Sequence, residues 1–263
     1  MWGWFLLLSA YSLVSAYDNT GVWLSGAAYC DRVDYPSMVL GGPAKGFVYK
    51  DTLHDPATDV QGYIGILPSQ STIYIVLRGS SSLLNWLDDI EVKLVPYPLC
   101  NNPCKVHYGF YRSAMGIRNH TIDVVRRLHK EYPSYGIVVT GHSYGAAVGQ
   151  LLAMELVYGL QYTVKLYNYG QPRVGDPVYA KLVNDRIAEF GRVTHNKDMV
   201  PHVPPIDGFG YRHSAGEVFE DAGGLVHLCS ETNGEDPKCA DQFALYQTGT
   251  SDHEIYLGKT LTC

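Results

Sequence analysis

The chain has 263 residues, of which 46% are hydrophobic and 17% charged, and its formal net charge is −6. This length suits one α/β domain with a large core. This acidic balance argues against nucleic-acid binding. The densest basic patch, 126–130 (RRLHK), falls at helical spacing and is typical of a solvated helix face. We therefore expect no nucleic-acid partner, and nothing in the composition implies a protein partner.

The first 16 residues, MWGWFLLLSAYSLVSA, predict a secretory signal peptide. Their apolar core is shorter than the roughly 20 residues that span a bilayer. Small residues at Ser15 and Ala16 predict cleavage after Ala16, which leaves residues 17–263 as a single secreted, extracellular domain. An N-terminal membrane anchor is the alternative, because no Lys or Arg precedes the apolar core.

All six cysteines lie beyond this segment, and an even count in a secreted chain predicts disulfides. Six cysteines allow about 15 pairings, so spacing only suggests which form. No C-x-x-C pair occurs and no histidine stands at zinc-finger spacing, so we expect no metal site and no other cofactor. Short loops between neighbouring cysteines suggest the pairs Cys100–Cys104, Cys229–Cys239 and, by what is left, Cys30–Cys263.

Strands and helices alternate through the middle of the chain. The stretch 71–79 (STIYIVLRG) is rich in β-branched residues and predicts a buried strand. Apolar residues at the helical period predict a helix over 107–132, and the sequon at Asn119 predicts N-glycosylation on its exposed face. Strands at 136–140, 162–170 and 191–196 and helices at 146–159 and 176–190 follow. This alternation predicts an α/β fold with a mostly parallel sheet and helices on both faces.

A short helix is also predicted at 82–90 (SLLNWLDDI), directly after the first of these strands. Its apolar residues recur at i, i+3, i+4 and i+7 and form one face, while the polar residues lie elsewhere. Such a stripe in isolation is typical of an ordinary core-facing helix. The residues of the stripe are Leu83, Trp86, Leu87 and Ile90.

Ser143 lies in the stretch VVTGHSYGAAVGQ (138–150), at the junction of a predicted strand and a predicted helix. In a sharp turn, side chains at Gly141 and Gly145 would clash, so glycine is favoured on both sides of the serine. The N-terminus of the following helix would favour negative charge beside the serine. The pattern predicts an exposed nucleophile, and an ordinary strand-to-helix turn that contains serine is the alternative.

A serine hydroxyl needs a base to accept its proton, and the base needs an acid to orient it. Asp198 follows the strand at 191–196, where α/β sheets present functional loops, and His253 is the last histidine of the chain. The order serine, aspartate, histidine fits this type of fold. Asp176 and Asp207 remain alternative acids, His213 remains the alternative base, and structural roles are expected for His142 and His202.

Six stretches, in this order, resemble the class 3 lipases, which are secreted triacylglycerol lipases of filamentous-fungal type and also include feruloyl esterases and phospholipases. The resemblance extends from about residue 17 to residue 263. It is carried by 75–90 (IVLRGSSSLLNWLDDI), 106–114 (VHYGFYRSA), 139–147 (VTGHSYGAA), 167–180 (YNYGQPRVGDPVYA), 194–205 (THNKDMVPHVPP) and 251–256 (SDHEIY).

This resemblance implies an α/β-hydrolase fold with Ser143 as nucleophile, Asp198 as acid and His253 as base, and its disulfides look like the set suggested above. It places one oxyanion donor at Ser80, and the N–H of Tyr144 is expected to be the other. The helix at 82–90 resembles the family's lid, which would cover the serine until it meets lipid. Tyr144 departs from the pattern, since this position is commonly leucine in the family.

We therefore expect a serine hydrolase that cleaves carboxylic esters, with acylglycerols at a lipid–water interface as substrate, through an acyl-enzyme. Val200, Val203 and Pro204 are candidates for an acyl groove and could equally be ordinary loop packing. The alternatives are a feruloyl or other carboxylic esterase or a phospholipase A1 of the same family, and a lipid-binding protein without catalysis.

Overall fold

The computed structural model describes residues 17–80, 82–88, 92–187 and 189–263. The predicted signal peptide (1–16) and Ile90 of the predicted apolar stripe lie outside these ranges. Within them, no helix combines the length and the apolar character needed to cross a membrane.

Eight strands form the central sheet, in the order β1-β2-β3-β6-β7-β8-β9-β10. The four pairings from β3 to β9 are parallel, and the pairings at both edges are antiparallel, so the predicted mostly parallel sheet is confirmed. Two short antiparallel pairs, β4 with β5 and β11 with β12, lie outside it. The strands are β1 (Val48–Asp55), β2 (Val60–Leu67), β3 (Thr72–Leu77), β4 (Leu94–Pro96), β5 (Lys105–His107), β6 (Gly136–His142), β7 (Val164–Tyr169), β8 (Glu189–His195), β9 (Glu217–Glu220), β10 (Val226–Leu228), β11 (Ile255–Tyr256) and β12 (Lys259–Thr260).

The α-helices of the described chain are α1 (Asn19–Ala27), α2 (Leu83–Asp88), α3 (Tyr108–Glu131), α4 (Tyr144–Leu160) and α5 (Pro177–Arg186). The prediction that the last of these continues to residue 190 was wrong. Its final backbone bond joins the Ile187 N–H to the Val183 carbonyl, and Glu189 and Phe190 pair instead with Lys165 and Leu166 of β7. Strand pairing with β7 therefore decides the conformation of this segment.

Alternate residues of β3 reach the two hydrophobic layers that enclose the sheet. Ile73 and Ile75 belong to the larger layer, together with residues of α3, α4 and α5. Tyr74 and Val76 belong to the opposite layer, which α1 covers. Helices on both faces are thus confirmed, although most of the helical mass lies on one side.

The three disulfides join the same pairs that spacing suggested: Cys30–Cys263, Cys100–Cys104 and Cys229–Cys239. The first ties the segment after α1 to residue 263, across a sequence separation of 233. The third closes the loop that follows β10. Three disulfides fit a protein of an oxidising compartment.

Candidate active site

Ser143 occupies the sharp turn between β6 and α4, with φ 57° and ψ −130°. A positive φ is strained for a residue with a side chain and persists only where the surroundings impose it. A Cβ on Gly141 would lie 2.8 Å from the backbone of Gly145, and a Cβ on Gly145 would lie 2.4 Å from the carbonyl oxygen of Arg78. The two glycines therefore allow the close backbone approach that the sequence pattern predicts.

The side chain of Ser143 is at the centre of a tightly packed region. Ser143 is only 2% exposed, and its Oγ has no hydrogen-bond partner among the described residues. The end of β3 approaches it closely, since a Cβ on Gly79 would lie 3.0 Å from the Ser143 Cβ. Helix α4 begins at the next residue and directs its positive end towards this point.

Asp198 and His253 form a buried pair across 55 residues of sequence. His253 Nδ1 lies 2.7 Å from Asp198 Oδ2, and each residue is 2% exposed. The Tyr256 hydroxyl donates to the same oxygen, and the Val200 N–H donates to Oδ1 at 2.8 Å. Because Nδ1 donates to the carboxylate, the lone pair of the neutral ring is on Nε2, which is buried and without a partner in the described chain.

His142 connects this pair to the serine turn. Its ring centroid lies 4.3 Å from that of His253, and its Nε2 donates to the His253 carbonyl at 2.9 Å. Its Nδ1 consequently accepts from the Tyr29 hydroxyl, 2.6 Å away. Burial and the neighbouring His253 hold the pKa of His142 well below its usual value, so this ring is neutral. The structural role expected of His142 is therefore to hold His253 against the strand that ends directly before Ser143.

The alternative acids and bases are engaged elsewhere. His213 donates from Nε2 to the Pro201 carbonyl at 2.7 Å, and burial holds its pKa well below the usual value. Asp176 caps α5 by accepting the Tyr179 N–H at 2.8 Å. Asp207 is exposed on a loop. The structure thus brings Asp198 and His253, and none of these three alternatives, to the serine turn.

Ser80 and Tyr144, the predicted oxyanion donors, flank Ser143 in the fold. Tyr144 is the first residue of α4, and N–H groups in a first helical turn lack an intrahelical partner. Ser80 is half-buried, and its hydroxyl donates to the Ser82 carbonyl at 3.1 Å. The Ser80 hydroxyl is therefore held within its own loop in this structure.

Helix α2 places one residue of its predicted apolar stripe, Trp86, near the serine turn. Leu83, Trp86 and Leu87 are half-buried, whereas Leu84 is 64% exposed. The Trp86 ring lies 6.4 Å from the ring of Tyr144, the residue after the nucleophile candidate. Of the described residues of the predicted apolar face, Trp86 therefore points inward, towards Tyr144.

Arg173 holds the loop that follows Asp198, a contact that sequence reasoning did not find. Its Nη1 donates to the carbonyls of His202 and Pro204, and its guanidinium forms a bidentate pair with Glu235 at 2.9 and 2.8 Å. Val200, Val203 and Pro204, the candidates for an acyl groove, are buried in this loop. Arg173 lies within one of the resembling stretches, and its residue type and position alone gave no signal of these contacts.

A mostly parallel sheet, a strained serine between a strand and a helix, and an Asp–His pair that follows it in sequence define an α/β-hydrolase of the serine type. The model of the family described as "Lipase (class 3)" matches residues 74–208, about half of the chain. The chain belongs to this family.

Known relatives agree with this assignment. The chain is 38% identical over 196 residues to a lipase of Rhizomucor miehei, a match that covers 72% of this chain and 53% of that protein. It is 32% identical over 190 residues to the secreted mono- and diacylglycerol lipase A of Penicillium cyclopium, covering 72% and 60%. The matches thus span between half and two thirds of these relatives' lengths. The refined structure of Rhizomucor miehei triacylglyceride lipase superposes with a TM-score of 0.84 at 31% identity, covering 97% of this chain and 96% of that one.

Proposed function

We propose that this protein is a serine hydrolase of acylglycerols, with Ser143 as nucleophile, His253 as base and Asp198 as acid. One observation carries the proposal: the ring of His253, oriented by Asp198, contacts the ring of His142, the residue that immediately precedes the strained Ser143, at a centroid distance of 4.3 Å. The names of the relatives, all lipases, support acylglycerols as substrate.

In the proposed reaction, His253 Nε2 removes the proton of the Ser143 hydroxyl while Oγ attacks the ester carbonyl carbon. The carbonyl oxygen becomes negatively charged, and the N–H groups of Tyr144 and Ser80 stabilise it, each by roughly 3 kcal/mol. The imidazolium then protonates the departing glycerol oxygen, which leaves an acyl group on Ser143. The same ring then deprotonates a water molecule, which attacks the acyl carbon. The bond to Ser143 Oγ breaks, the ring returns the proton to that oxygen, and the fatty acid is released.

Further proposals concern how the chain reaches its substrate. Residues 17–263 form one secreted catalytic domain after cleavage behind Ala16, and Asn119, exposed on α3, carries an N-linked glycan. The apolar stripe of α2 covers the site in water and contacts lipid when the helix moves. Cleavage behind Ala16 would be supported by N-terminal sequencing that begins at Tyr17. Glycosylation of Asn119 would be supported by a loss of mass on enzymatic deglycosylation that Asn119→Gln abolishes.

The function is tested by supplying emulsified triacylglycerol, phosphatidylcholine and methyl ferulate to the parent and to Ser143→Ala. We expect fatty acid from the triacylglycerol, and loss of that release in the variant by at least about a thousandfold. A preference for phosphatidylcholine or methyl ferulate would retain the mechanism and replace the substrate. Failure of Ser143 to react with a fluorophosphonate, together with no hydrolysis, would favour a lipid-binding protein.

A further inference from the structure

Tyr144 has a side chain whose contacts the proposed reaction does not use. Only its backbone N–H has a role there, yet its ring lies 5.6 Å from that of Phe110 and its hydroxyl is hydrogen-bonded to Ser113. Both partners belong to α3, which packs beside α4 in the same hydrophobic layer. The ring therefore bridges from the nucleophile turn to the neighbouring helix.

The hydrogen bond fixes the ring in one orientation. The Ser113 hydroxyl donates to the Gly109 carbonyl at 3.1 Å, so its oxygen accepts the proton of the Tyr144 hydroxyl. Phe110 packs against one side of the Tyr144 ring at an interplanar angle of 67°. Anchored at its tip, at its side and at its backbone, the ring presents a fixed surface at the edge of the site.

Trp86 of α2 rests on this surface. Its ring meets that of Tyr144 edge-on, at an angle of 74°, and stacks on Phe110 at 6.2 Å and 30°. The six described residues of α2 would not form a stable helix without tertiary contacts. The position of α2 over the site consequently depends on where Trp86 packs.

We propose that the Tyr144 side chain is the contact surface that holds α2 over Ser143 in the absence of lipid. This contact thereby sets the fraction of molecules whose site is uncovered. The importance of this fraction for catalysis rests on the proposed function, whereas the contact itself does not. Loss of one aromatic pair should increase the uncovered fraction roughly 2- to 12-fold. Tyr144 would then be a positioning residue for the lid, in addition to supplying a backbone N–H.

The test compares Tyr144→Leu, Tyr144→Phe and Ser113→Ala in lipid-free buffer. One readout is the amide hydrogen exchange of residues 82–88, measured in a Ser143→Ala background so that it is independent of catalysis. The other is the rate at which a soluble fluorophosphonate labels Ser143 in the otherwise unchanged chain. Tyr111→Leu is the matched control, because this α3 ring packs on Tyr97, 5.7 Å away.

We expect Tyr144→Leu to raise the exchange rate and the labelling rate roughly 2- to 12-fold. Tyr144→Phe and Ser113→Ala, which remove only the hydrogen bond, should raise them less, and Tyr111→Leu should leave them unchanged. Unchanged exchange in Tyr144→Leu, or an equal rise in the control, would overturn the proposal. A shift in acyl-chain preference without a change in exchange would instead assign the ring to the acyl groove. If Tyr144→Leu does not fold, unchanged exchange of residues 82–88 in both Tyr144→Phe and Ser113→Ala rejects the proposal. If no variant is labelled while exchange rises as expected, the proposed function is wrong, but the role of Tyr144 in holding α2 is supported.

Discussion

At the scale of single residues, the proposed acid, Asp198, is held by more groups than the catalytic pattern requires. Asp198 accepts from His253, from the Val200 N–H and from the Tyr256 hydroxyl. Burial and the adjacent Asp198 raise the pKa of Tyr256 well above its usual value, so its hydroxyl remains a donor. The sequence predicted roles for Asp198 and His253. Nothing in it predicted that Tyr256, three residues after the histidine, donates a hydrogen bond to Asp198.

Tyr256→Phe should lower kcat roughly tenfold, equivalent to about 1.4 kcal/mol, with little change in KM, because the Asp198 carboxylate loses one of its orienting donors. Kinetics on a soluble ester would measure this. Tyr169→Phe is the matched control, since this buried hydroxyl donates to the Asp18 carbonyl instead. Equal losses of kcat in the two variants would show a general effect of removing buried hydroxyls.

The glycine after the nucleophile provides a second prediction at this scale. Gly145→Ala places a methyl group 2.4 Å from the Arg78 carbonyl oxygen, and the backbone must shift to accommodate it. We expect a loss of about 1–3 kcal/mol in the free energy of unfolding and loss of fluorophosphonate labelling. Gly136→Ala, in strand β6, has no heavy atom within 4 Å of the added carbon and should behave as the parent. Normal labelling of Gly145→Ala would contradict the prediction.

At the scale of elements, hydrophobic periodicity predicted the central strands and helices. It was wrong where pairing between strands decides the conformation of a segment. The segment at 189–190 continues an apolar and polar pattern that suits a helix, yet it pairs with β7. The two strands at each end of the sheet, β1 with β2 and β9 with β10, and helix α1 were not predicted. Strand β1 is half-buried and carries Lys50, Asp51 and Asp55, so its sequence lacks the clear alternation of a strand with one buried face.

The orientation of α2 leads to a prediction about lipid interfaces. In Trp86→Ala, we expect activity on dissolved monomeric ester to rise and the increase on adding emulsified lipid to shrink, because the inward contact of the helix is lost. Rates below and above the solubility limit of one ester would give the ratio. Asn85→Ala, on the exposed side of α2, should keep the parental ratio. A Trp86→Ala ratio equal to the parent's would remove the basis for a lid.

At the scale of the whole molecule, buried histidines and carboxylates near the site make stability depend on pH. Burial lowers the pKa of His142 and His213 well below the usual value, and burial with the Arg173 charge lowers that of His202 to about 4. These rings bind protons only in the unfolded chain, so below about pH 6.5 they destabilise the fold as pH falls. Asp241 opposes them, because burial and Glu235 raise its pKa to about 7 and the folded state takes up its proton first.

The variants His213→Gln and Asp241→Asn should therefore change the pH dependence in opposite directions. The melting temperature of His213→Gln should fall less between pH 7 and pH 5 than that of the parent, and that of Asp241→Asn should fall more steeply. His120→Gln, at an exposed ring, is the control. Parallel melting curves for all four proteins would show that these buried groups do not govern acid stability.

The sequence by itself determined the sheet class, the order of the central elements and the serine turn, because each depends on local spacing or residue type. It only suggested the disulfide pairs, since Cys30 and Cys263 are 233 positions apart. It also ranked Asp198 and His253 above their alternatives through chain order and resemblance. Only the tertiary structure decided that His142 and Tyr256 hold this pair, that Arg173 secures the loop after Asp198, and that Tyr144 contacts helix α2. These contacts join residues 29 to 111 positions apart, so no local pattern records them.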